Sequence, residues 1–487
     1  MANVDLRSAL LSNIVTASGG ACVSIAEYKD SQFGMPLRHY AQQYLYGATG
    51  LRFNMLHSIS GPPQSCKSPF VFDLMFDMCA DKSAGGSEGI AFLYEMEGKL
   101  SPTLLASMAE HHGQGYGAGT PFQILSNVTI ESASKHLSQV VIKNMRNADL
   151  TKVPPIFIDW DSVGGAASDS LVDKFEDEGV VGKGFHDKAH IMKHFCEQWG
   201  ALSKFLPIVF MVVNQEKKDV ESTPGYTGPA KKHITGGESQ VFKAGHIVSA
   251  SYRAMSDGSG KIVTLRTTKT SFCDPRKVEV NFIWNRAGQS DTNAQGHHWQ
   301  WALAGAQLLA NPAYVGDLRS IIDVKVSKEN LVTCPQLNLR SVQPEVFEAA
   351  LFAPENAELL KRLYAYQKIE VIKGIDEYRE YLVSKKKEAA DLKEKQKADR
   401  KAEKEQEQAR KAEEAAAKEA KKQERLAKSE AKKTKAAPAK PLKMPEALVA
   451  KAKPPAVVKL FADDEEKGDT DGGQPGGAAA ADTATEA

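Results

Sequence analysis

"SISGPPQSCKSPF", residues 58–70, has the outline of a phosphate-binding loop, which reads Gly-x-x-x-x-Gly-Lys followed by Ser or Thr. Gly61 begins the pattern and Lys67 and Ser68 end it, but Cys66 stands in place of the second glycine. A side chain at that position costs roughly 1–2 kcal/mol if the turn requires a left-handed backbone. The sequence on either side therefore has to support or oppose a nucleotide site.

The flanking segments have the character that such a loop requires. "FNMLHSIS" (53–60) predicts an apolar strand before it, and "PFVFDLMFDMCA" (69–80) predicts an apolar helix after it. Pro69 is compatible with a first helical turn, because the N–H group that proline lacks has no helical partner there. Lys67 is predicted to reach the β- and γ-phosphates, and the Ser68 hydroxyl to hold Mg²⁺. The predicted nucleotide-binding residues are Gly61, Pro62, Pro63, Gln64, Ser65, Cys66, Lys67 and Ser68.

Two acidic strand ends follow this loop. Hydrolysis of a nucleoside triphosphate needs an acid that holds Mg²⁺ through water and a carboxylate that orients the attacking water. "IFIDWDSV" (156–163) places Asp161 at the exit of an apolar strand, with Asp159 as an alternative two residues earlier. "FLYEMEGKLSP" (92–102) places Glu95 and Glu97 at the end of another. An isolated acid at a strand end is more often a helix cap or a turn residue. These acids, however, follow a phosphate-binding loop in the order that a nucleotide site requires, and this order favours the functional interpretation.

The composition is that of an ordinary folded protein. Of 487 residues, 42% are apolar, 8% aromatic and 25% charged, and the net charge of +1 excludes no class of partner. The cysteines form no C-x-x-C pair, which argues against a zinc site or a disulfide framework and fits a reducing cytoplasm. No signal peptide and no run of about 18 apolar residues is present, so neither secretion nor membrane insertion is expected. The six cysteines are Cys22, Cys66, Cys79, Cys196, Cys273 and Cys334.

Short apolar runs alternate with amphipathic segments up to about residue 384, which predicts an α/β fold with a mostly parallel central sheet. Further strands are predicted at 89–97, 154–162, 206–215 and 261–269, and a helix at 188–205. Residues 385–437 contain no Gly or Pro and predict a charged helix, followed by a tail too poor in apolar residues to fold alone. The predicted organisation is an N-terminal helix and lead-in (1–50), a core (51–290), a small α-rich C-terminal domain (291–384), the charged helix (385–437) and a disordered tail (438–487).

Five motifs in a fixed order resemble those of the RecA recombinase family, and within it the phage UvsX-like branch. The resemblance covers about residues 35–285 and implies a RecA-like P-loop ATPase core. The glycine loop resembles "GPESSGKT" of RecA, the second motif resembles "DAEHALDP", and the third resembles "DSVAA". The matching segments are "GPPQSCKS" (61–68), "EMEGKLSP" (95–102), "DSVGG" (161–165), "FMVVNQ" (210–215) and "TGGESQVFKAGHIVSASYR" (235–253), in which Phe242 matches the family's Phe.

The resemblance implies roles for individual residues. Glu97 corresponds to the catalytic glutamate, Asp161 to the magnesium-associated aspartate, and Gln215 to the glutamine that couples the γ-phosphate to DNA binding. "RTTKT" (266–270) resembles the stretch whose lysines act on the neighbouring subunit's nucleotide, so Lys269 is a catalytic candidate with Arg266 as its rival. The family's adenine-stacking tyrosine appears here as Leu104, which leaves the base contact open.

The resemblance also implies partners. ATP and Mg²⁺ lie between subunits of a helical filament in this family, and two loops on the filament axis grip single-stranded DNA. By position these loops are residues 164–188, which are acidic, and 216–235. Lysines in the second loop could neutralise DNA phosphates, and an aromatic ring could stack on a base, although a solvated surface loop would have the same composition. The predicted DNA-binding residues are Lys217, Lys218, Tyr226, Lys231 and Lys232.

The implied activity is ATP-dependent homologous pairing and strand exchange between single-stranded and double-stranded DNA, in the cytoplasm of a bacterial host if the chain is phage-encoded. Single-strand-binding and mediator proteins are further expected partners, and a membrane is not. One alternative is a RecA-fold accessory ATPase or hexameric helicase-like motor, and another is a DNA-binding scaffold without hydrolysis. A separate hypothesis is that Cys66, at a helix N-terminus beside Lys67, has a lowered pKa and oxidises readily.

Overall fold

A computed structural model describes residues 32–82, 86–115, 119–178, 185–218, 232–234, 239–271, 273–284, 297–315 and 318–433 of the chain. The chain divides into two compact units, Met1–Asp399 and Arg400–Ala487. The predicted N-terminal helix and the tail lie outside the described residues. In the part of the chain that is described, no helix has the length and apolar character needed to cross a membrane.

The first unit is built on one large α/β sheet. Its strands are β3 (Leu56–Gly61), β4 (Ile90–Glu95), β5 (Phe122–Ser126), β6 (Ile156–Asp161), β7 (Ile208–Lys218), β8 (Lys232–Ile234), β9 (His246–Ala254), β10 (Gly260–Thr270), β11 (Lys277–Ile283) and β12 (His298–Trp299). Their spatial order is β12-β11-β10-β9-β3-β7-β6-β4-β5, and β8 pairs with β7 outside this path. Smaller sheets are formed by β1 (Gly34–Pro36) with β2 (Gly50–Arg52), and by β13 (Lys325–Val326), β14 (Val332–Cys334) and β15 (Leu339–Val342).

The central strands are parallel, as predicted, and one side of the sheet is antiparallel. Strands β5, β4, β6, β7, β3 and β9 pair in parallel, whereas β9, β10, β11 and β12 pair antiparallel. The pair of β9 and β10 is antiparallel because a short turn joins the two strands, and such a turn cannot return a chain for parallel pairing. The predicted strand at 261–269 therefore belongs to the antiparallel side.

Helices pack on both faces of the sheet. They are α1 (Tyr40–Tyr46), α2 (Lys67–Cys79), α3 (Pro102–His111), α4 (Ile130–His136), α5 (Lys143–Asn147), α6 (Asp169–Glu178), α7 (Phe185–Leu202), α8 (Ser239–Lys243), α9 (Trp301–Ala310), α10 (Pro312–Val315), α11 (Pro344–Leu351), α12 (Ala357–Gln367) and α13 (Ile375–Lys433). A π-helical segment, Leu137–Ile142, joins α4 to α5. Short 3₁₀ turns occur at Pro335–Leu337 and Pro354–Asn356.

Side-chain alternation along the strands divides the core into two hydrophobic clusters. Ile59, Phe157 and Val213 belong to the cluster that contains α2, and Ile158 and Val212 belong to the cluster that contains α7. Because successive strand residues face opposite sides, every second residue shares one cluster. Strand β6 and residues 208–213 of β7 are buried on both faces, which explains why they appear in the sequence as continuous apolar runs.

The cluster that contains α2 continues into residues 299–382, with Trp301, Leu351 and Tyr378 among its members. Helix α13 starts at Ile375, ahead of the predicted charged segment, and its first turns carry Tyr378 and Leu382 into this cluster. The predicted boundary between core and C-terminal domain at residues 290 and 291 lies outside the described residues.

The helical part of the second unit is exposed along its length. From Arg400 to Lys428 every described side chain is exposed, and ion pairs recur four residues apart, for example Lys411 with Glu407 at 2.7 Å. Such pairs stabilise an isolated helix by about 0.2–0.5 kcal/mol each. This segment has no apolar stripe with which to form a core.

Candidate functional site

The loop between β3 and α2 has the tight geometry that its sequence suggested. Gly61 ends β3 and Lys67 begins α2. A Cβ atom on Gly61 would lie 2.2 Å from the carbonyl oxygen of Ala250, so no larger residue fits at this point. Cys66 has φ 59° and ψ 30°, and Gln64 has φ 62°. The loop therefore does require a left-handed backbone at Cys66, which is the position where the phosphate-loop pattern has glycine.

Lys67 is buried beneath this loop. Its Nζ donates to the carbonyl oxygen of Pro62 at 2.8 Å and lies 3.4 Å from Ser65 Oγ. Burial lowers the pKa of Lys67, although the nearby carboxyls of Asp161 and Glu97 raise it in part. The lysine lies at the N-terminus of α2, where the first backbone N–H groups have no helical partners. The loop, the lysine and the helix end together form a positive site that suits a phosphate.

Asp161 is the last residue of β6, and its carboxyl forms a hydrogen bond with Ser68 in the first turn of α2. Burial raises the pKa of this carboxyl to about 6, and a hydrogen bond with Ser68 opposes that shift. A carboxylate and a hydroxyl are oxygen ligands of the kind that Mg²⁺ takes alongside water and phosphate. The residues present therefore fit a magnesium–nucleotide complex, with Asp161 and Ser68 on the metal side. The peptide bond between Asp161 and Ser162 is cis.

Asp159, the alternative candidate, lies one step deeper on the same face of β6. It is fully buried, and neither of its carboxyl oxygens has a hydrogen-bond partner among the described residues. Burial raises its pKa well above the usual range, and the neighbouring Asp161 carboxyl adds to the effect. A neutral carboxylic acid at this depth does not offer a charge to a metal ion, so the structure favours Asp161.

Glu97 is held by residues from two other strand ends. Its Oε1 accepts a hydrogen bond from Gln215 Nε2 at 2.8 Å and another from Ser162 Oγ, and Lys99 Nζ lies 3.3 Å from Oε2. A Cβ atom on Gly165 would lie 2.3 Å from Glu97 Cγ, so the glycine leaves room for the glutamate. Glu97, predicted as the catalytic base, and Gln215, predicted as the γ-phosphate sensor, are thus in direct contact.

Glu95 has a different role from Glu97. Its Oε1 accepts the backbone N–H groups of Glu97 at 3.1 Å and of Lys99 at 3.0 Å. This carboxylate stabilises the turn that follows β4. Of the two glutamates that the sequence offered, Glu95 shapes the turn and Glu97 faces Gln215.

The register of the sheet explains why these side chains meet. Gly61 pairs with Gln215 across β3 and β7, and Glu95 pairs with Asp161 across β4 and β6. The carboxyl ends of parallel strands lie at one edge of a sheet, where open α/β folds place their ligands. We call this the carboxyl edge, comprising the ends of β3, β4, β6 and β7 with the loop 62–66.

Sequence reasoning missed Glu216, Lys261 and Trp284. Glu216 Oε1 accepts hydrogen bonds from Ser60 Oγ at 3.0 Å and from Ser249 Oγ at 3.1 Å, on the face of the sheet opposite α2. Lys261 Nζ donates to the carbonyl oxygen of Gln64 at 2.7 Å. Serines at alternate positions of the strand predicted at 53–60 could have indicated a polar partner such as Glu216 on that face of the sheet. Lys261 and Trp284 are distant from the loop in sequence and carried no such signal.

A cavity of about 360 Å³ opens beside the loop. Its lining includes Gln64 and Lys67 of the loop and Leu104 of α3. The other lining residues include Ser101, Lys261, Phe282, Trp284 and His297.

Lys269 lies at the opposite edge of the sheet. It pairs with Ile247 of β9, whose neighbour His246 pairs with the beginning of β3. Its Nζ donates to the carbonyl oxygens of Val241 and Phe242, both at 2.7 Å. Within one chain Lys269 is therefore not part of the carboxyl edge, and its predicted action on a neighbouring subunit stays a prediction. Arg266, its rival, is exposed on β10.

The predicted DNA-binding loop at 216–235 is partly regular. Residues Glu216, Lys217 and Lys218 continue β7 and pair antiparallel with Ile234, His233 and Lys232 of β8. Lys217, Lys218 and Lys232 thus belong to a two-stranded stem, whereas Tyr226 and Lys231 lie outside the described residues. In the other loop, residues 164–188, Asp169–Glu178 forms helix α6.

The hypothesis of an acidic thiol at Cys66 is wrong in its direction. The side chain is only 8% exposed, and burial raises its pKa to about 11 despite Lys261 and Lys67 nearby. The loss of hydration by a buried thiolate exceeds the attraction of the two lysines. Ready oxidation of Cys66 is therefore not expected.

Comparisons with known proteins add no identification. No protein-family model matches the chain, and no curated protein matches it significantly.

Proposed function

We propose that this chain is a DNA-dependent ATPase of the RecA recombinase kind, which assembles on single-stranded DNA and promotes homologous pairing and strand exchange. The observation that carries the proposal is the hydrogen bond between Glu97 and Gln215 at 2.8 Å, beside the buried Lys67. It joins a carboxylate suited to orient water to an amide at the start of the β7–β8 stem. A site that only binds phosphate would not need this connection.

Each residue of the carboxyl edge has a task in this reaction. The loop N–H groups and Lys67 bind and orient the phosphates of ATP. Ser68 and Asp161 would hold Mg²⁺, which would neutralise charge on the phosphates. Glu97 accepts a proton from the attacking water, and Ser162 keeps its carboxylate in place.

The coupling to DNA runs along β7. Gln215 ends the buried part of this strand, and Lys217 and Lys218 follow within three residues on the stem. A shift of Gln215 toward a γ-phosphate would move the stem, and DNA bound to the stem would in turn favour that position of Gln215. Such reciprocity is a thermodynamic necessity if ATP changes the affinity for DNA.

Phosphate release by the purified chain, measured with and without single-stranded DNA, tests the proposal. We expect release that depends on Mg²⁺ and is stimulated at least several-fold by the DNA. Absence of release under both conditions would favour a scaffold that has lost hydrolysis.

Electron microscopy with ATP and single-stranded DNA tests the assembly separately. Helical filaments are expected for a recombinase, and closed rings would favour a helicase-like motor. Double-stranded DNA that shares the sequence of the bound strand should then be paired with it, and single-strand-binding and mediator proteins would act on the same filament.

A further inference from the structure

Two histidines on the exposed face of α7 face each other. His190 and His194 are four residues apart, about one helical turn, and both side chains are exposed. Their Nε2 atoms lie 3.2 Å apart, and the two rings meet at an interplanar angle of 78° with their centres 4.4 Å apart. The opposite face of the helix is buried, since Met192, Phe195 and Trp199 belong to the hydrophobic core. The histidine pair is therefore open to solvent and lies outside that core.

The separation of the two nitrogens is close to the one that a shared metal ion requires. Two imidazole nitrogens that bind one zinc ion at about 2.0–2.1 Å with a tetrahedral angle lie about 3.3–3.4 Å apart. The His-x-x-x-His spacing on a helix is also the one with which zinc proteases bring two imidazoles to one ion. Ile191 stands where those enzymes have their catalytic Glu, so this pair offers metal ligands without a general base.

Glu197 lies beside the pair on the same helix. Its Oε2 is 3.8 Å from Nδ1 of His194, the ring nitrogen that does not face His190. A carboxylate near Nδ1 favours the proton on that nitrogen, which leaves the lone pair of Nε2 for a metal ion. Metal-binding histidines commonly have such a partner on their second nitrogen. Glu197 therefore favours the form of His194 that can act as a ligand.

We propose that His190 and His194 form a binding site for a zinc ion, with Glu197 orienting His194. Among the described residues no group of three or more His, Cys, Asp or Glu side chains could hold a metal ion, so water would complete the coordination. Imidazole suits zinc, whereas Mg²⁺ prefers oxygen ligands, so this site would not take the metal of the carboxyl edge. Zinc binding at α7 does not depend on the proposed nucleotide function.

Calorimetric titration of the full chain with Zn²⁺ in excess Mg²⁺ tests the inference. We expect one zinc ion to bind at this site, and His190→Ala and His194→Ala should each raise its Kd at least about tenfold, because each removes a ligand. The double variant should be little weaker than either single variant, since one ion held by both rings needs both. Glu197→Gln should raise the Kd by a smaller factor, up to about tenfold.

Lys193→Ala is the matched control, because it changes an exposed residue between the two histidines. Its Kd for zinc should stay within about twofold of the unmodified value, as for most surface substitutions. Thermal unfolding gives a second readout: Zn²⁺ should raise the Tm of the unmodified protein and not that of His194→Ala. The Tm values without zinc show whether the variants are folded.

Equal zinc affinity in the unmodified protein and in both single variants would overturn the inference. Absence of zinc binding by the unmodified protein would overturn it as well, and the short distance between the Nε2 atoms would then represent only a hydrogen bond between two neutral rings. Either result would leave the proposed function intact, because neither His190 nor His194 belongs to the carboxyl edge.

Discussion

Each of the two edges of the central sheet has a cavity that is lined by a lysine, and the two lysines differ in the groups that surround them. At the carboxyl edge Lys67 lies at the N-terminus of α2, beside the acids Asp161 and Glu97. At the opposite, amino edge a larger cavity, of about 580 Å³, is lined by Lys269, whose Nζ is bound to carbonyl oxygens of Val241 and Phe242 in α8.

The difference is electrostatic. Both lysines donate to carbonyl oxygens, Lys67 to that of Pro62 and Lys269 to those of Val241 and Phe242, but Lys67 lies at a helix N-terminus, where the helix itself is positive. Lys67 and the helix end therefore favour an anion between them, and Lys269 has no such need within its own chain. The smaller cavity is the better candidate for phosphate chemistry because charge, rather than volume, selects the ligand.

Replacing Lys67 with Ala should have the largest effect of the variants considered. We expect DNA-stimulated phosphate release to fall at least about a hundredfold, because the substitution removes the positive charge of Lys67 that would stabilise the phosphates in a buried site. The measurement is steady-state phosphate release at saturating single-stranded DNA. A decrease of less than about fivefold would show that Lys67 does not bind the phosphates, and it would contradict the proposed difference between the two edges.

Replacing Glu97 with Gln should lower phosphate release by about a hundredfold, as expected when a general base is removed. Affinity for ATP should stay within about threefold of the unmodified value, since the loop and Lys67 remain.

Replacing Gln215 with Ala should instead reduce the stimulation of phosphate release by DNA more than it reduces the basal rate of release. If both variants had the same effect on basal and stimulated release, Gln215 would not act as a coupling residue.

Replacing Lys269 with Ala should affect assembled protein only. We expect release on single-stranded DNA to fall at least about tenfold, because a cation reaching the neighbouring nucleotide would be lost. Binding of ATP to dilute protein without DNA should not change. Arg266→Ala is the matched comparison, and a larger loss in that variant would transfer the predicted role from Lys269 to Arg266.

The amino edge also has a buried histidine pair whose effect on stability depends on pH. His57 and His246 stack with ring centres 5.7 Å apart, Tyr46 meets both rings, and burial lowers their pKa values from 6.5 to about 4 and about 2. Below pH 6.5 the unfolded chain therefore binds protons that the folded chain does not, so these histidines lower the free energy of unfolding as the pH falls.

The loss should reach roughly 1–2 kcal/mol per histidine at pH 5. Asp159 and Asp161 act in the opposite direction, because their folded pKa values are raised and the folded chain takes up their protons first. Urea unfolding at pH 7 and pH 5 should therefore be compared between unmodified protein and His246→Leu. We expect the variant to lose less stability between the two pH values, and an equal loss would contradict the neutral state of the pair.

Substitution of Cys66 should have the smallest effect. Cys66→Gly relieves the left-handed backbone but adds freedom to the unfolded chain, so the free energy of unfolding should change by less than about 1 kcal/mol. Cys66→Val places a branched side chain at φ 59° and should destabilise the fold by about 1–2 kcal/mol. Chemical denaturation of both variants checks the difference, and equal stabilities would argue against strain at this position.

Much of the fold could be predicted from local pattern. The runs at 53–60, 89–97, 154–162 and 206–215 all correspond to strands of the parallel region, and the helix predicted at 69–80 is α2. The run at 261–269 corresponds to β10, but the antiparallel pairing of β9 to β12 and the pairing of β8 with β7 were not predicted. Pairing joins residues far apart in the chain, and an apolar run has no information about its partner.

The sequence by itself determined which side chains were available to the site and in what order they occur: a glycine loop ending in Lys67 and Ser68, then Glu97, Asp161 and Gln215 at the ends of apolar runs. These are local properties of loop and strand. Only the tertiary structure decided that Gln215 contacts Glu97, that Asp159 is buried without a hydrogen-bond partner among the described residues, and that Lys269 lies at the far edge. The physical reason is that parallel pairing and the two-residue alternation of strands set which distant side chains meet, and that burial then sets their charge.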